Sequence, residues 1–325
     1  MKTQLMKRAA ALCLAVVLTL SVNAAALFGG KEKAQPAEGI PTAQALEIRT
    51  YRGIPYHAQF LAAGGEGEDL TFTVEKEPKK GTVQIDGASF TYTPEGDSTG
   101  SDSFTYTATD SAGRVSQPAT VSVTIEKAKS GVTYADTADS TAAVAAQDLA
   151  EAGIFTGAKI GDQYYFEPDK PVSRSEFLAM VMETAGDEPT AVTMTGFCDD
   201  AAIPTWAKGY VSSALKAGAI QGSLDQEGQP VFGSGETVTR GEATVMLDNL
   251  MGILDVPAEV FASESGGHWA GQAAANLSAS GVIHGGDDSA QAMADPLTRA
   301  DVAELLDGAM DVMADQDGSI WFSWS

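Results

Sequence analysis

Histidine and cysteine are scarce, with three and two in 325 residues. Two thiols cannot build a disulfide scaffold. His57, His268 and His284 lie far apart and lack a ligand spacing such as H-E-x-x-H, so no zinc centre is expected. Basic residues are few: 20 Lys and Arg stand against 44 Asp and Glu, a formal charge of −24. No basic stripe is available to release counterions from a phosphate backbone, which removes nucleic acid as a partner. No apolar run of about 20 residues follows the N-terminal segment, so no membrane span is expected in the mature form. A G-x-S-x-G elbow, a Walker loop and a dinucleotide fingerprint are all missing, and nothing singles out a catalytic pair among the acids. These absences point away from an enzyme and imply no cofactor.

What is present begins with a targeting pattern. Lys2, Lys7 and Arg8 precede an apolar run from Ala9 to Leu20, and small residues follow to Ala26. That is the layout of a secretory signal peptide over residues 1–26. Its removal takes three basic residues and no acid, and leaves Cys198 as the single thiol. Residues 27–43, with Gly29, Gly30, Pro36, Gly39 and Pro41, read as a linker.

From 44 to 127 the pattern has period two. Leu70–Val74, Ser89–Thr93, Ser103–Thr107 and Thr120–Ile125 each set apolar residues on one face and Thr or Ser on the other, with Gly, Asp and Pro between the runs. Such runs predict an antiparallel β-sandwich. The stretch Gly100 to Asp110, followed by Gly113 and the closing strand, resembles bacterial cadherin-like and immunoglobulin-like modules. Calcium at Asp102 and Asp110 is one reading of that likeness, but turn-forming and strand-ending aspartates explain the same positions. The module reads as a spacer.

After a second linker, 128–133, a repeat runs through the chain. Gly153-Ile154-Phe155-Thr156-Gly157, Gly218-Ala219-Ile220-Gln221-Gly222 and Gly281-Val282-Ile283-His284-Gly285 share one pattern. Twelve residues before each first glycine stand Thr141, Trp206 and Trp269. Downstream come Val172-Ser173-Arg174-Ser175-Glu176, Val238-Thr239-Arg240-Gly241-Glu242 and Leu297-Thr298-Arg299-Ala300-Asp301. The unit is about 60 residues and reads as helix, glycine loop, helix. Repeats are placed at 134–187, 196–252 and 257–313, with an aromatic tail at 314–325.

In each tetrapeptide the hydroxyl residue (Ser173, Thr239, Thr298) suits an N-cap, and the acid (Glu176, Glu242, Asp301) suits N3 of a capping box. The arginine is unexplained by capping, because a cation in the first turn faces the positive end of the helix dipole. From 131 onward there are 30 acids and seven bases, and every arginine there, Arg174, Arg240 and Arg299, holds this position. Two uses are open: a fork for an anionic ligand, or a structural pair with an acid of a neighbouring repeat.

Phe197-Cys198-Asp199, the Trp206-Ala207 and Trp269-Ala270 pairs, the G-x-x-x-G loops, Phe166-Glu167-Pro168 and the three tetrapeptides together resemble S-layer homology repeats. The resemblance implies an all-α C-terminal domain of three helix-loop-helix repeats in a pseudo-threefold spindle, beside the all-β sandwich. It implies a secreted protein held non-covalently on secondary cell-wall polysaccharide, often pyruvylated. Arg174, Arg240 and Arg299 would contact the sugar, Trp206 and Trp269 would line its groove, and Gly157, Gly222 and Gly285 would let backbone approach it. The alternative is a surface adhesin whose repeats bind protein and whose sandwich binds an outside ligand.

Overall fold

The computed structural model describes residues 39–65, 70–186, 189–258, 267–283 and 289–315. The expected signal segment, Gly285 and the aromatic residues of the tail lie outside them.

Alternating Thr and apolar residues make the sandwich. One sheet has the order β2 (Leu46–Tyr51), β9 (Ala119–Glu126), β8 (Gly100–Thr109), β5 (Thr71–Lys76), and the other β3 (Tyr56–Gln59), β7 (Ser89–Pro94), β6 (Gly81–Asp86). Two short strands, β1 (Thr42–Ala43) and β4 (Ala62–Ala63), pair beside them. The Thr side of β9 faces water, while Val121, Val123 and Ile125 are buried, the expected outcome of period two. Between the sheets Phe60 stacks on Phe90 at 4.6 Å and on Phe72 at 5.1 Å, with Tyr92, Phe104 and Tyr106 fully buried around them. One pairing departs from an antiparallel sandwich: β2 runs parallel to β9, Leu46 opposite Val121 through Tyr51 opposite Glu126. The first and last strands of this sheet are therefore neighbours, which antiparallel meanders do not give.

The region beyond Thr133 corrects the expectation of a separate all-α domain. Among the described residues it holds six helices: α1 (Ala143–Ala152), α2 (Arg174–Thr184), α3 (Thr205–Ala217), α4 (Arg240–Met251), α5 (Gly271–Ser280) and α6 (Arg299–Asp315). It also holds two β-hairpins, β10 (Ala158–Ile160) with β11 (Gln163–Tyr165), and β12 (Ser223–Leu224) with β13 (Pro230–Val231). The glycine loops produce them. Gly153 and Gly218 end α1 and α3 in the left-handed conformation (φ 76° at both). Gly157 and Gly222, also at positive φ, turn the backbone into the hairpins, whose ladder satisfies amides that a helix would otherwise leave exposed.

Nor is the repeat region detached from the sandwich. From Gly39 onward the chain forms one compact unit. Arg49 on β2 makes a two-pronged ion pair with Asp148 on α1, 2.8 Å on each prong, and the Tyr51 hydroxyl donates to the same carboxylate at 2.5 Å. The segment read as a linker is tied down as well. Lys129 N, Ser130 N and Ser130 Oγ donate to the Glu151 carboxylate at 2.6–3.1 Å.

The segments entering α2, α4 and α6 knit the repeats. Val172 N donates to Leu297 O at 3.1 Å, Leu297 N to Val238 O at 2.9 Å, and Val238 N back to Val172 O at 3.0 Å. A parallel set follows two residues on: Arg174 N to Glu236 O, Arg240 N to Asp295 O and Arg299 N to Lys170 O, each 2.9 Å. Phe166, Phe177, Leu178, Phe232, Val238, Leu247, Leu297 and Leu306 form one core beneath these segments. Among the described residues no helix is long and apolar enough to cross a membrane.

Candidate functional site

Each tetrapeptide builds a helix start. Ser173 Oγ and Thr239 Oγ1 accept from the N3 amides of Glu176 and Glu242, whose carboxylates accept from the Ser173 and Thr239 amides. Thr298 and Asp301 repeat the pattern, with Asp301 Oδ2 accepting from Thr298 N at 2.8 Å. Such caps stabilise a helix by about 1 kcal/mol each.

The arginines project off their helix starts toward the next repeat, always in the same sense. Arg174 Nε donates to Phe232 O at 2.7 Å, and its Nη1 pairs with Glu242. Arg240 Nη2 pairs with Asp301 at 3.0 Å. Arg299 Nη1 donates to Phe166 O and to Glu167 Oε2, 2.8 Å each, and its guanidinium lies 4.9 Å from the Phe155 ring centre. Neighbouring acids and carbonyls thus offset the unfavourable dipole position.

By equivalence of the repeats there are three such positions, each combining an arginine, the N3 acid of the following repeat and the helix-start residue of the one after; the first forms a cleft. They differ. In the first, Arg299, Glu176 and Trp206 line a cleft of about 180 Å³ with Phe155, Val172, Ala179 and Met180. Trp206 is 53% exposed. Among the described residues the Nε and Nη2 of Arg299 have no protein partner, so that edge of the fork is open. In the second, Trp269 is 62% exposed and lies 3.3 Å from where a Cβ on Gly241 would sit. There the Arg174 side chain is about as buried as that of Arg299, but its Nε and Nη1 are both taken. In the third, Thr141 stands at the tryptophan position and donates to Glu304 at 2.6 Å. Glu304 occupies the position of Ala179 in the first groove, so that groove carries an extra carboxylate and no aromatic face.

Gly157 and Gly222 make room for their own hairpins. A Cβ on Gly157 would fall 2.3 Å from Tyr165 O, and one on Gly222 2.4 Å from Phe197 Cε1 and 2.5 Å from Val231 O. Gly157→Ala combines that clash with a φ of 65°, and should cost about 3 kcal/mol. Gly153→Ala, with open space around its Cβ, should cost about 1 kcal/mol. Denaturant midpoints of the two variants check the difference.

The roles of three residues, Asp136, Asp199 and Glu167, were not read from the sequence. Asp136 accepts from Phe166 N and Glu167 N at 2.9 and 2.8 Å, and Asp199 accepts from Phe232 N and Gly233 N at 2.9 Å. These carboxylates shape the carbonyl loop that receives the arginines. The aligned Tyr134-Ala135-Asp136 and Phe197-Cys198-Asp199 were the available signal. The third is Glu167, the one non-glycine among the described residues with positive φ, 58°. Lys170 and Arg299 together hold its carboxyl below the ordinary glutamate range.

Asp102 accepts from Lys79 N, Lys80 N and Tyr92 OH, and Asp110 from Ala112 N, Arg114 N and the Arg114 guanidinium. Both serve turns.

Comparison with known proteins matches residues 53–127 to the bacterial cadherin-like domain. No S-layer homology model was found to match the repeats. An amylopullulanase of Thermoanaerobacterium thermosulfurigenes is 26% identical over 153 residues, covering 45% of this chain and 8% of the relative. The chain thus spans less than a tenth of that relative's length. Among solved structures, a SusE-like surface-located polysaccharide-binding protein from Bacteroides thetaiotaomicron is 13% identical, covering 27% of this chain and 15% of its own, with a TM-score of 0.21. Fibronectin(III)-like modules of Clostridium thermocellum CbhA are 14% identical over 28% of this chain and the whole module, with a TM-score of 0.19.

Proposed function

We propose that this is a secreted, non-enzymatic surface protein that holds anionic cell-wall polysaccharide without covalent chemistry, as S-layer homology repeats do, and displays the cadherin-like sandwich. The observation that carries the reading is the first groove, where Trp206, 53% exposed, and Arg299, whose Nε–Nη2 edge has no protein partner among the described residues, line one cleft. That edge matches a carboxylate in two-pronged fashion, and an indole face suits the C–H surface of a sugar ring. Arg174 and Arg240, paired with Glu242 and Asp301, we assign to cross-linking the repeats. The likeness to amylopullulanase also supports a carbohydrate-related role. At 153 residues it cannot be contained within 53–127, so sequence outside the sandwich is shared.

Sedimentation of the purified chain with isolated cell walls tests this. Binding should be lost on walls chemically stripped of pyruvate and other acidic substituents, and lost by Arg299→Ala on intact walls while its thermal unfolding stays cooperative. Equal binding to stripped walls would favour the second reading, a protein-binding adhesin. That reading draws on Ile160 and Leu224, exposed by 66% and 72% on the hairpins of repeats one and two.

A further inference from the structure

Phe166-Glu167 and Phe232-Gly233 are the same loop in two repeats, because Asp136 and Asp199 accept the corresponding pair of amides in each. Their backbones agree, with φ 58° at Glu167 and 68° at Gly233. Glycine adopts that conformation without strain, whereas a glutamate there is strained. The strained residue is the one that meets the open arginine. Glu167 Oε2 accepts from Arg299 Nη1 at 2.8 Å and from Lys170 Nζ at 3.1 Å. Glu167 is not among the residues that line the cleft, and its bond is to Nη1, so Nε and Nη2 are left to the ligand. At Gly233 no side chain exists to do this, and in that groove the cap acid Glu242 takes Arg174 instead.

We propose, resting on the reading of the first groove as a sugar site, that Glu167 is a specificity-determining residue that tempers the charge of Arg299. Its carboxylate lowers the groove's preference for acidic over neutral sugars and keeps ligand exchange fast. A second anion on the guanidinium's free edge would lie on the order of 6 Å from Glu167. At that distance in a partly solvated site, removing the charge should strengthen anion binding roughly three- to tenfold. A neutral sugar should be unaffected.

The test titrates the full chain with the methyl glycosides of glucuronic acid and of glucose, following the Trp206 indole N–H by NMR. Glu167→Gln should tighten the glucuronide by that factor, leave the glucoside unchanged and steepen the salt dependence. Glu77→Gln, an equal change of net charge on an exposed sandwich residue, should leave the ratio as in wild type. Glucuronide binding by the wild type with an unchanged ratio in Glu167→Gln overturns the role of Glu167 alone. A chain in which neither wild type nor variant shows any preference for the glucuronide overturns both the role and the groove reading.

Discussion

Replacing Arg49 by Ala lowers stability by about 3 kcal/mol, because it leaves the Asp148 carboxylate buried without its cation. Asp148 is 8% exposed, and its surroundings are acidic. Asp307 of α6 hydrogen-bonds it, Asp311 lies near Asp307, and Arg49 is the cation that acts on the group, with Tyr56 of β3 alongside. Burial, then the neighbouring Asp148 and Asp311 charges, push the Asp307 carboxyl up to about 7. The sign of its pH dependence follows. Asp307 keeps its proton to near neutrality when folded but loses it near 3.8 when unfolded. Stability from this group is therefore full below about pH 4 and declines as pH rises toward 7. The Arg49→Ala loss should be larger at pH 8 than at pH 5, because the removed cation is what offsets the ionised cluster. Asp307→Asn should be neutral below about pH 4, stabilising at pH 5 and more so at pH 8. Urea midpoints of the three proteins at both pH values check this; equal losses at the two pH values would show that the cluster does not titrate as a unit.

On the proposed function, Trp206→Ala should weaken wall binding more than tenfold, and Trp269→Ala should leave it within about twofold. Loss of an aromatic platform from a site that has an open arginine edge removes on the order of 2 kcal/mol, more than a tenfold change. Trp269 sits over a groove whose arginine is buried and paired, and the third groove has Thr141 and Glu304 in place of an aromatic face. One site per chain is the consequence, and calorimetric titration with solubilised wall polysaccharide reads the stoichiometry directly. A value near two, with both tryptophans required, would reinstate the second groove.

How far the sequence carried depends on the range of the interactions. The runs at 89–93, 103–107 and 120–125 lie within β7, β8 and β9 because alternation is a local property of a half-buried strand. Capping boxes were legible for the same reason, since Ser173 and Glu176 are three residues apart. The hairpins were not, because strands of two or three residues are too short to show a period. The Arg49–Asp148 pair joins positions 99 residues apart, and nothing local marks either partner, so the contact between sandwich and repeats was not legible. The arginines were found by position, but their partners were not, since 30 acids stood as candidates. The strain at Glu167 is a backbone property that no composition rule exposes.

The three carbonyl–amide links among Val172, Val238 and Leu297 return to their starting point. A stacked repeat protein can lengthen or shorten by one unit and still offer its neighbours the same face. Here each unit is both the giver and the receiver of a link, so the number of units is fixed by closure. Deleting the third repeat would not leave a shorter array. It would leave Val172 without its acceptor, Val238 without its donor, and Arg299 missing from the very groove that the first two repeats otherwise complete.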